Sequence, residues 1–377
     1  MPGFDRPSGE AMGVQGSAAG DGAVEVKPER TVPGGSPARR LPARVRVVLP
    51  GYAPPIYQRR PLVPILVFVV VAAGAATLWS ENIARVAVLN TALIYAIAAV
   101  GLYFAYSVGG LFAFSQAAFM GIGAYTSAKV AGENGFLLGF VVGVAVAFLS
   151  AAVLGALLSR ARHLYFAIGA LAFAELMTLV LRNVTFFAGE EAGLVSGMDR
   201  PRLFGRYFET EGALFWLLLA VMCAVLVMGA LIERSPLRRD ALAAKENPEV
   251  ARANGVRVRT IAVTIFAFGS ALAGAAGSLQ AHTLGFIAPE TFGVGVAINL
   301  YLMILLGGLG SMWGAVVGAF FITWLPELLR PVKTYEDVVF SMLLLVTIVV
   351  LPQGIVGAAS TLWDRLPKGV LRRAPRE

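Results

Sequence analysis

A chain of 377 residues with 57% hydrophobic and only 14% charged residues, at a mean hydropathy of +0.73, cannot clothe a water-soluble surface, since soluble domains carry roughly 25% charged residues. The formal net charge of +8 raises a nucleic-acid partner, but nine Lys/Arg precede residue 61, seven lie between Glu233 and Thr260, and five follow Thr361; basic flanks and loops of apolar segments set membrane orientation and argue against nucleic acid. One cysteine, Cys223, and two histidines exclude an internal disulfide and a recognisable zinc cluster, so no cofactor and no metal site is expected.

Residues 1–60 are rich in Pro, Gly, Ala and Arg and show little apolar periodicity. Such a segment buries too little apolar area to offset its ordering entropy, and a disordered basic cytoplasmic tail is expected there. No short basic stretch runs at once into an apolar core, so a cleavable signal peptide is not expected. From Pro61 onward, apolar segments recur at 62–79, 86–107, 111–130, 136–158, 164–182, 213–232, 261–282, 294–308, 313–329 and 337–356. Most are long enough to cross a hydrocarbon core of about 30 Å as helices. The expected fold is an all-α polytopic bundle of ten transmembrane helices over residues 61–357, followed by a basic cytoplasmic tail at 358–377. The break Gly307-Gly308-Leu309-Gly310-Ser311 divides 294–329, whose 36 largely apolar residues are too many for one span.

Ten spans return both termini to one side. With the N-terminus inside, Arg160/Arg162, the 233–260 loop and 361–377 all fall inside, whereas the 183–212 loop, with three Arg against five acids, falls outside, as the positive-inside rule requires. Arg85, Lys129, Arg330 and Lys333 are scattered exceptions at outer ends.

The 233–260 loop holds a short helix with both ends specified. Asn247 suits the N-cap, Pro248 the first helical position, Glu249 the positive end of the dipole, and Gly255 a left-handed terminus. A two-turn helix carrying small Ala residues can seat in a groove on another protein; an interhelical loop with incidental caps reads the same locally. Glu249, Ala251 and Gly255 resemble the loop by which importer permeases of the ATP-binding-cassette (ABC) class engage their ATPases, with Val250 in place of the middle Ala of the usual Glu-Ala-Ala triplet.

Polar groups within the spans are sparse. Glu175 stands seven residues from Arg182, roughly 10 Å along a helix, and an ionisable group at that depth marks a functional site, unless it pairs with a neighbouring helix or snorkels outward. Ser115, Gln116, Asn90, Asn299 and Gln280 either line a path or bond between helices; Ser115, Gln116, Glu175 and Asn299 are the candidate translocation path. His282, near an outer end, is expected at the interface, and Phe112, Phe114 and Phe119 in packing. Gly121/Gly123, Gly135/Gly139/Gly143 and Gly314/Gly318 are small-residue spacings that let helix backbones approach. Gly307, Gly308 and Gly310 make a helix break that can point two short helix ends at a cavity.

Two further stretches carry a resemblance. One is Ser115-Gln116-Ala117-Ala118-Phe119-Met120-Gly121-Ile122-Gly123-Ala124-Tyr125-Thr126; the other runs from Leu272 to Glu327 through Gly274, Gly277, His282, Gly285-Phe286-Ile287-Ala288-Pro289-Glu290-Thr291-Phe292, Gly307-Gly308-Leu309-Gly310-Ser311-Met312-Trp313-Gly314 and Leu325-Pro326-Glu327. In order and spacing, over roughly residues 85 to 357, they resemble the branched-chain amino acid permeases of the LivM type. Gln116 stands where many members have His.

The resemblance implies a type II-like ABC importer permease that carries leucine, isoleucine, valine or related small amino acids across the inner membrane, with urea and short-chain amides as alternative cargo. Its implied partners are ABC ATPase subunits, a LivH-type sister permease, the amino-acid substrate, and a periplasmic or extracellular solute-binding protein meeting the outer loops 183–212 and 284–293. The chain has no Gly-x-x-x-x-Gly-Lys-[Ser/Thr] loop, so ATP hydrolysis falls to those separate subunits and no enzymatic activity is expected. An ion-coupled secondary transporter would call for paired intramembrane carboxylates, where Glu175 alone lies deep. A membrane enzyme would need clustered His, Asp or Glu near one membrane face.

Overall fold

The computed structural model describes residues 62–79, 82–160, 163–183, 193–198, 200–203, 206–208, 210–329, 342 and 354–357. They form α1 (Leu62–Leu78), α2 (Ile83–Leu102), α3 (Gln116–Asn134), α4 (Phe136–Leu158), α5 (His163–Asn183), α6 (Glu211–Arg234), α7 (Pro236–Glu246), α8 (Pro248–Ala253), α9 (Val258–Leu284), α10 (Val294–Gly307) and α11 (Met312–Leu329). Four two-residue strands, β1 (Val195–Ser196), β2 (Arg202–Leu203), β3 (Arg206–Tyr207) and β4 (Phe286–Ile287), pair antiparallel as β1–β4 and β2–β3.

Among the described residues, seven helical stretches are long and apolar enough to cross a membrane: Ile83–Val108, Phe136–Leu158, Leu164–Asn183, Glu211–Arg234, Val258–Leu284, Pro289–Gly307 and Met312–Leu329. The chain is an all-α polytopic membrane protein. Two expected spans within the described residues fall outside that seven. α1 is shorter, at 17 residues, and α3, at 19 residues, carries Gln, Gly, Ser, Thr and Lys. Helix α3 tolerates the Gln, Gly, Ser and Thr because Gln116 to Ser127 is wholly buried within protein, where packing and interhelical bonds replace the need for an oily surface, whereas Lys129 is exposed nearer the end of the helix. The expected span at 337–356 lies outside the described residues except for Met342 and 354–356, and both tails lie outside them entirely.

Helices α3, α4 and α9 make the most intimate contact, and α2 also packs on α9. Glycine sets the distance. A Cβ at Gly123 would strike the Gly274 backbone, one at Gly277 the Met120 carbonyl, and one at Gly101 the Gly269 carbonyl. Gly139 and Gly143 serve in the same way against Ser127 and Gly123, but Gly135 does not. It has φ +88° and turns the chain from α3 into α4, with nothing near its Cβ position. The Gly307–Ser311 break is a tight hairpin, turned at Gly308 with φ +117°. Gly314 and Gly318 return against Gly307 and Met303, so α10 and α11 run antiparallel in backbone contact.

Candidate functional site

The 233–260 segment folds as two consecutive helices. Sequence reading anticipated only the second, because α7 is strongly charged along Arg238, Arg239, Asp240, Lys245 and Glu246. Yet α7 has its own start and face. Pro236 sits at its first position after extended Ser235, and Ala241 and Ala244, three residues apart, are buried. Asn247 ends α7 and begins α8, its side chain accepting from the Val250 N–H at 3.1 Å. At the other end the Gly255 N–H donates to the Arg252 carbonyl at 2.9 Å and the Val256 N–H to the Ala251 carbonyl at 3.0 Å. With Gly255 at φ +79°, this is a Schellman terminus.

α8 is therefore short but doubly fixed, and it has two sides. Glu249 and Val250 are exposed, whereas Ala251 is buried at 3%. The small side chain at 251 seats α8 on its own protein, leaving Glu249 and Val250 as the outward surface. Arg252 donates to Glu249 at 2.7 Å on that exposed side.

Contacts from Lys245 of α7 and Glu233 of α6 reach a π-helical turn, Tyr103–Val108, that continues α2, and Gly110 just beyond it. Lys245 donates to the Ser107 carbonyl at 2.8 Å and lies over the Tyr106 ring, 5.9 Å from its centroid. Its aliphatic stem packs on Gly110, where a Cβ would come within 2.9 Å of the Lys245 Cγ. The Tyr103 hydroxyl donates to Glu233 Oε1 at 2.9 Å. Partial burial pushes the Lys245 ammonium below its ordinary value, opposed by Glu246. A π-helical turn leaves the regular helical bonding pattern and recurs at functional sites. Here the turn and Gly110 at φ +72° delay the start of α3 to Gln116 rather than the expected 111.

The four path candidates separate into two pairs. Ser115 and Gln116 are buried at 0% and 1%, and Gln116 Nε2 donates to the Gly269 carbonyl at 2.8 Å, joining α3 to α9. Ser115 Oγ, Gln116 Oε1 and Ser270 Oγ are buried without protein partners. Glu175 and Asn299, by contrast, are exposed on α5 and α10 and do not enter that buried group. Arg182 pairs with Glu290 rather than with Glu175. Phe114 and Phe112 pack on Tyr301 and Tyr106, and Phe119 on Phe173 and Phe266.

At the end remote from α7, loops far apart in sequence join. β1 pairs with β4, Val195 opposite Ile287 and Ser196 opposite Phe286. The Tyr125 hydroxyl donates to the Gly193 carbonyl at 2.5 Å, and Arg200 donates to Glu211 at 2.8 Å. Asn90 Nδ2 donates to Glu211 Oε2 at 3.0 Å, making an interhelical bond between α2 and α6.

His282 is not interfacial. It is buried at 2%, its Nε2 lies 3.1 Å from Ser127 Oγ, and its ring meets Phe136 edge-on at 5.0 Å. The Ser278 hydroxyl completes the group, donating to Ser127 Oγ at 2.6 Å. The i,i+4 spacing of Ser278 and His282 was the available signal; Ser127, on another helix, carried none. Among the described residues, no three His, Cys, Asp or Glu side chains are grouped to hold a metal ion.

The family model described as branched-chain amino acid transport system, permease component, matches residues 84–351. The chain is 29% identical over 317 residues to the high-affinity branched-chain amino acid transport system permease protein LivM of Escherichia coli (strain K12), covering 76% of this chain and 74% of the relative. It is 29% identical over 224 residues to the autoinducer 2 import system permease protein LsrC of Escherichia coli O9:H4 (strain HS), covering 57% and 60%. Identity to the corresponding permease protein LivH of Escherichia coli (strain K12) is 26% over 284 residues, covering 70% of this chain and 91% of the relative. No solved structure matches the chain.

Proposed function

The chain belongs to the branched-chain amino acid transport permease family, and we propose that it is the LivM-like half of an ATP-driven importer whose motor grips α8. It is a multi-pass permease subunit of an importer. Leucine, isoleucine and valine, or related small amino acids, are its proposed cargo, with hydrolysis carried out by separate ATPase subunits and not by this chain. The proposed architecture is ten spans of type II-like arrangement at 61–357, with basic tails 1–60 and 358–377 and the 233–260 loop all cytoplasmic in an inner membrane.

One observation carries the coupling role: α8 is capped at both ends, with Glu249 outward and Ala251 inward, and the preceding helix bonds through Lys245 to Ser107. A rigid knob held at both termini transmits displacement instead of absorbing it. In this reading ATP-driven closure of the ATPases shifts α7 and α8 together. Lys245 passes that shift to the π-helical turn, and the turn passes it through 109–115 to Ser115 and Gln116. The bond from Gln116 to the Gly269 carbonyl then senses the movement against α9.

A zwitterion with an aliphatic side chain needs a few dipoles and apolar walls. Ser115, Gln116 and the neighbouring Ser270 offer dipoles without charge. Asn299 and Glu175 lie on outward faces of α10 and α5, and a polar group facing out of a spanning helix is costly in lipid; we assign those faces to contact with the LivH-like sister permease. The break at Gly307, Gly308 and Gly310 folds α10 and α11 back into backbone contact, so they move as one hairpin. A solute-binding protein docks on the outer loops 183–212 and 284–293, which meet through the β1–β4 pair.

Reconstitution with ATPase subunits and binding protein tests the reading. Radiolabelled leucine uptake should require ATP and stop when the ATPase Walker lysine is replaced. Uptake that persists without ATP and collapses with an ion gradient would overturn it in favour of a secondary transporter.

A further inference from the structure

A cleft of about 160 Å³ lies where the ends of α4 and α5 meet α7 and the start of α9. Its lining is divided by chemistry. Lys245 and Arg259 supply cations, Arg252 being paired with Glu249, while Leu158, Phe166 and Val263 supply an apolar wall. We infer that this cleft binds an anionic phospholipid, the phosphate against Lys245 and Arg259 and an acyl chain along the wall of α4, α5 and α9.

Four observations converge on that occupant. First, the Arg259 guanidinium is held in place, donating to Ser159 Oγ and, at 2.9 Å, to the Ala156 carbonyl at the end of α4. Those bonds use only part of its five N–H donors, so a fixed cation is presented with donors to spare. Second, Lys245 uses one donor on the Ser107 carbonyl, and an ammonium has three. Third, the apolar wall continues onto the outside of the protein, where Leu157 is 71% and Leu164 70% exposed beside the lining residues Leu158 and Phe166. Both belong to membrane-spanning stretches or their ends, so the cleft opens at the depth where a lipid phosphate joins its acyl chains. Fourth, the segments 159–160 and 233–260 carry eight cations against four carboxylates, an imbalance that draws anionic lipid to the surface. A soluble phosphate would meet the cations but leave the apolar wall in contact with water or detergent. A zwitterionic phospholipid would fill the wall but bring its own cation to the basic mouth.

Native mass spectrometry of the full chain in a neutral detergent tests the site with dioleoylphosphatidylglycerol, dioleoylphosphatidylcholine and inorganic phosphate as separate probes. Phosphatidylglycerol should be retained at least ten-fold better than phosphatidylcholine, and inorganic phosphate should neither be retained nor displace it. The preference should vanish in the Lys245→Gln/Arg259→Gln double variant. Ala262→Trp, which keeps every cation but fills the lined cleft, should reduce retention as well; it keeps the site testable should the double variant fail to fold. Undiminished preference in a monodisperse double variant, undiminished phosphatidylglycerol retention in monodisperse Ala262→Trp, equal retention of phosphatidylcholine, or displacement by inorganic phosphate overturns the inference.

Discussion

The Lys245 ammonium donates to the Ser107 carbonyl at 2.8 Å, joining a charged helix outside the spans to the π-helical end of α2. This bond connects α7 to a carbonyl released from regular helical bonding. Lys245→Met keeps the stem that packs on Gly110 while removing the donor. Leucine uptake should fall about five-fold or more, in the range of an ordinary coupling free energy of 1–3 kcal/mol, while ATPase subunits still co-purify. Loss of co-purification would instead assign Lys245 to assembly.

The same residue sets an alkaline limit. Burial lowers the Lys245 value below its ordinary 10.5, so the folded protein gives up this proton before an unfolded chain does. The cost of burying the ammonium is fully present below the folded value and is relieved as pH rises from it toward 10.5. Coupling behaves oppositely to this stability contribution, because the neutral amine is a weaker donor. The uptake-to-hydrolysis ratio should decline before pH 10.5 with the fold intact. It should stay flat over that range in Lys245→Arg, whose guanidinium remains charged. A ratio that falls identically in both proteins rejects Lys245 as the titrating group.

Gly255 closes α8 at φ +79° with open space around its Cβ position. A side chain there meets backbone strain, not a clash, on the order of 1–2 kcal/mol. Asn tolerates the left-handed region better than Ala, and Val worst of all. ATPase co-purification should therefore decline in the order Gly, Asn, Ala, Val. A bulky Gly255→Val chain that retains full co-purification and uptake would remove the coupling role from this helix.

Much of this was written in local sequence. Asn247, Pro248 and Gly255 each act on a neighbouring peptide group, so their cap roles could be read without knowing any tertiary contact. The long apolar segments also declared themselves, because lipid rewards every residue of a span in the same way. Helix α3 was harder: Gln116, Thr126 and Ser127 make it look less membranous, and only its burial between α4 and α9 explains them. Hydropathy reports the solvent around a helix, and the solvent of α3 is protein. Glu175 shows the converse limit. Depth along α5 was legible, but whether the residue points inward depends on where the other helices pack.

Arg182 and Glu290 pair between α5 and the short 3₁₀ turn Pro289–Phe292. Their side chains are 51% and 59% exposed, so the pair adds little to stability, about 0–1 kcal/mol. Its use is to hold the end of α5 and the Pro289–Phe292 turn in register beside the β1–β4 pair. Glu290→Gln should leave the melting temperature within a few degrees yet lower the uptake stimulated by binding protein. The Arg182→Glu/Glu290→Arg exchange should restore part of that stimulation. Equal loss in the exchange and in the single variant would mean that the binding protein reads Glu290 itself.

Ser127, Ser278 and His282 form a buried chain of hydrogen bonds between α3 and α9, reinforced by the edge-on contact of His282 with Phe136. Helix association in lipid has little hydrophobic driving force, so close glycine contact and internal polar bonds hold these two helices together. Removing the imidazole in His282→Ala opens a cavity and takes a partner from Ser127, which should cost about 1–3 kcal/mol. Ser127→Ala removes the shared centre of the chain and should cost a similar amount. Because both substitutions break the same bond, the double variant should be less destabilised than the sum of the singles. Thermal unfolding of all four proteins in one detergent gives the cycle directly. Strict additivity would mean that the serine and the imidazole contribute through separate packing, leaving the glycine contacts at Gly123 and Gly277 as what holds α3 against α9.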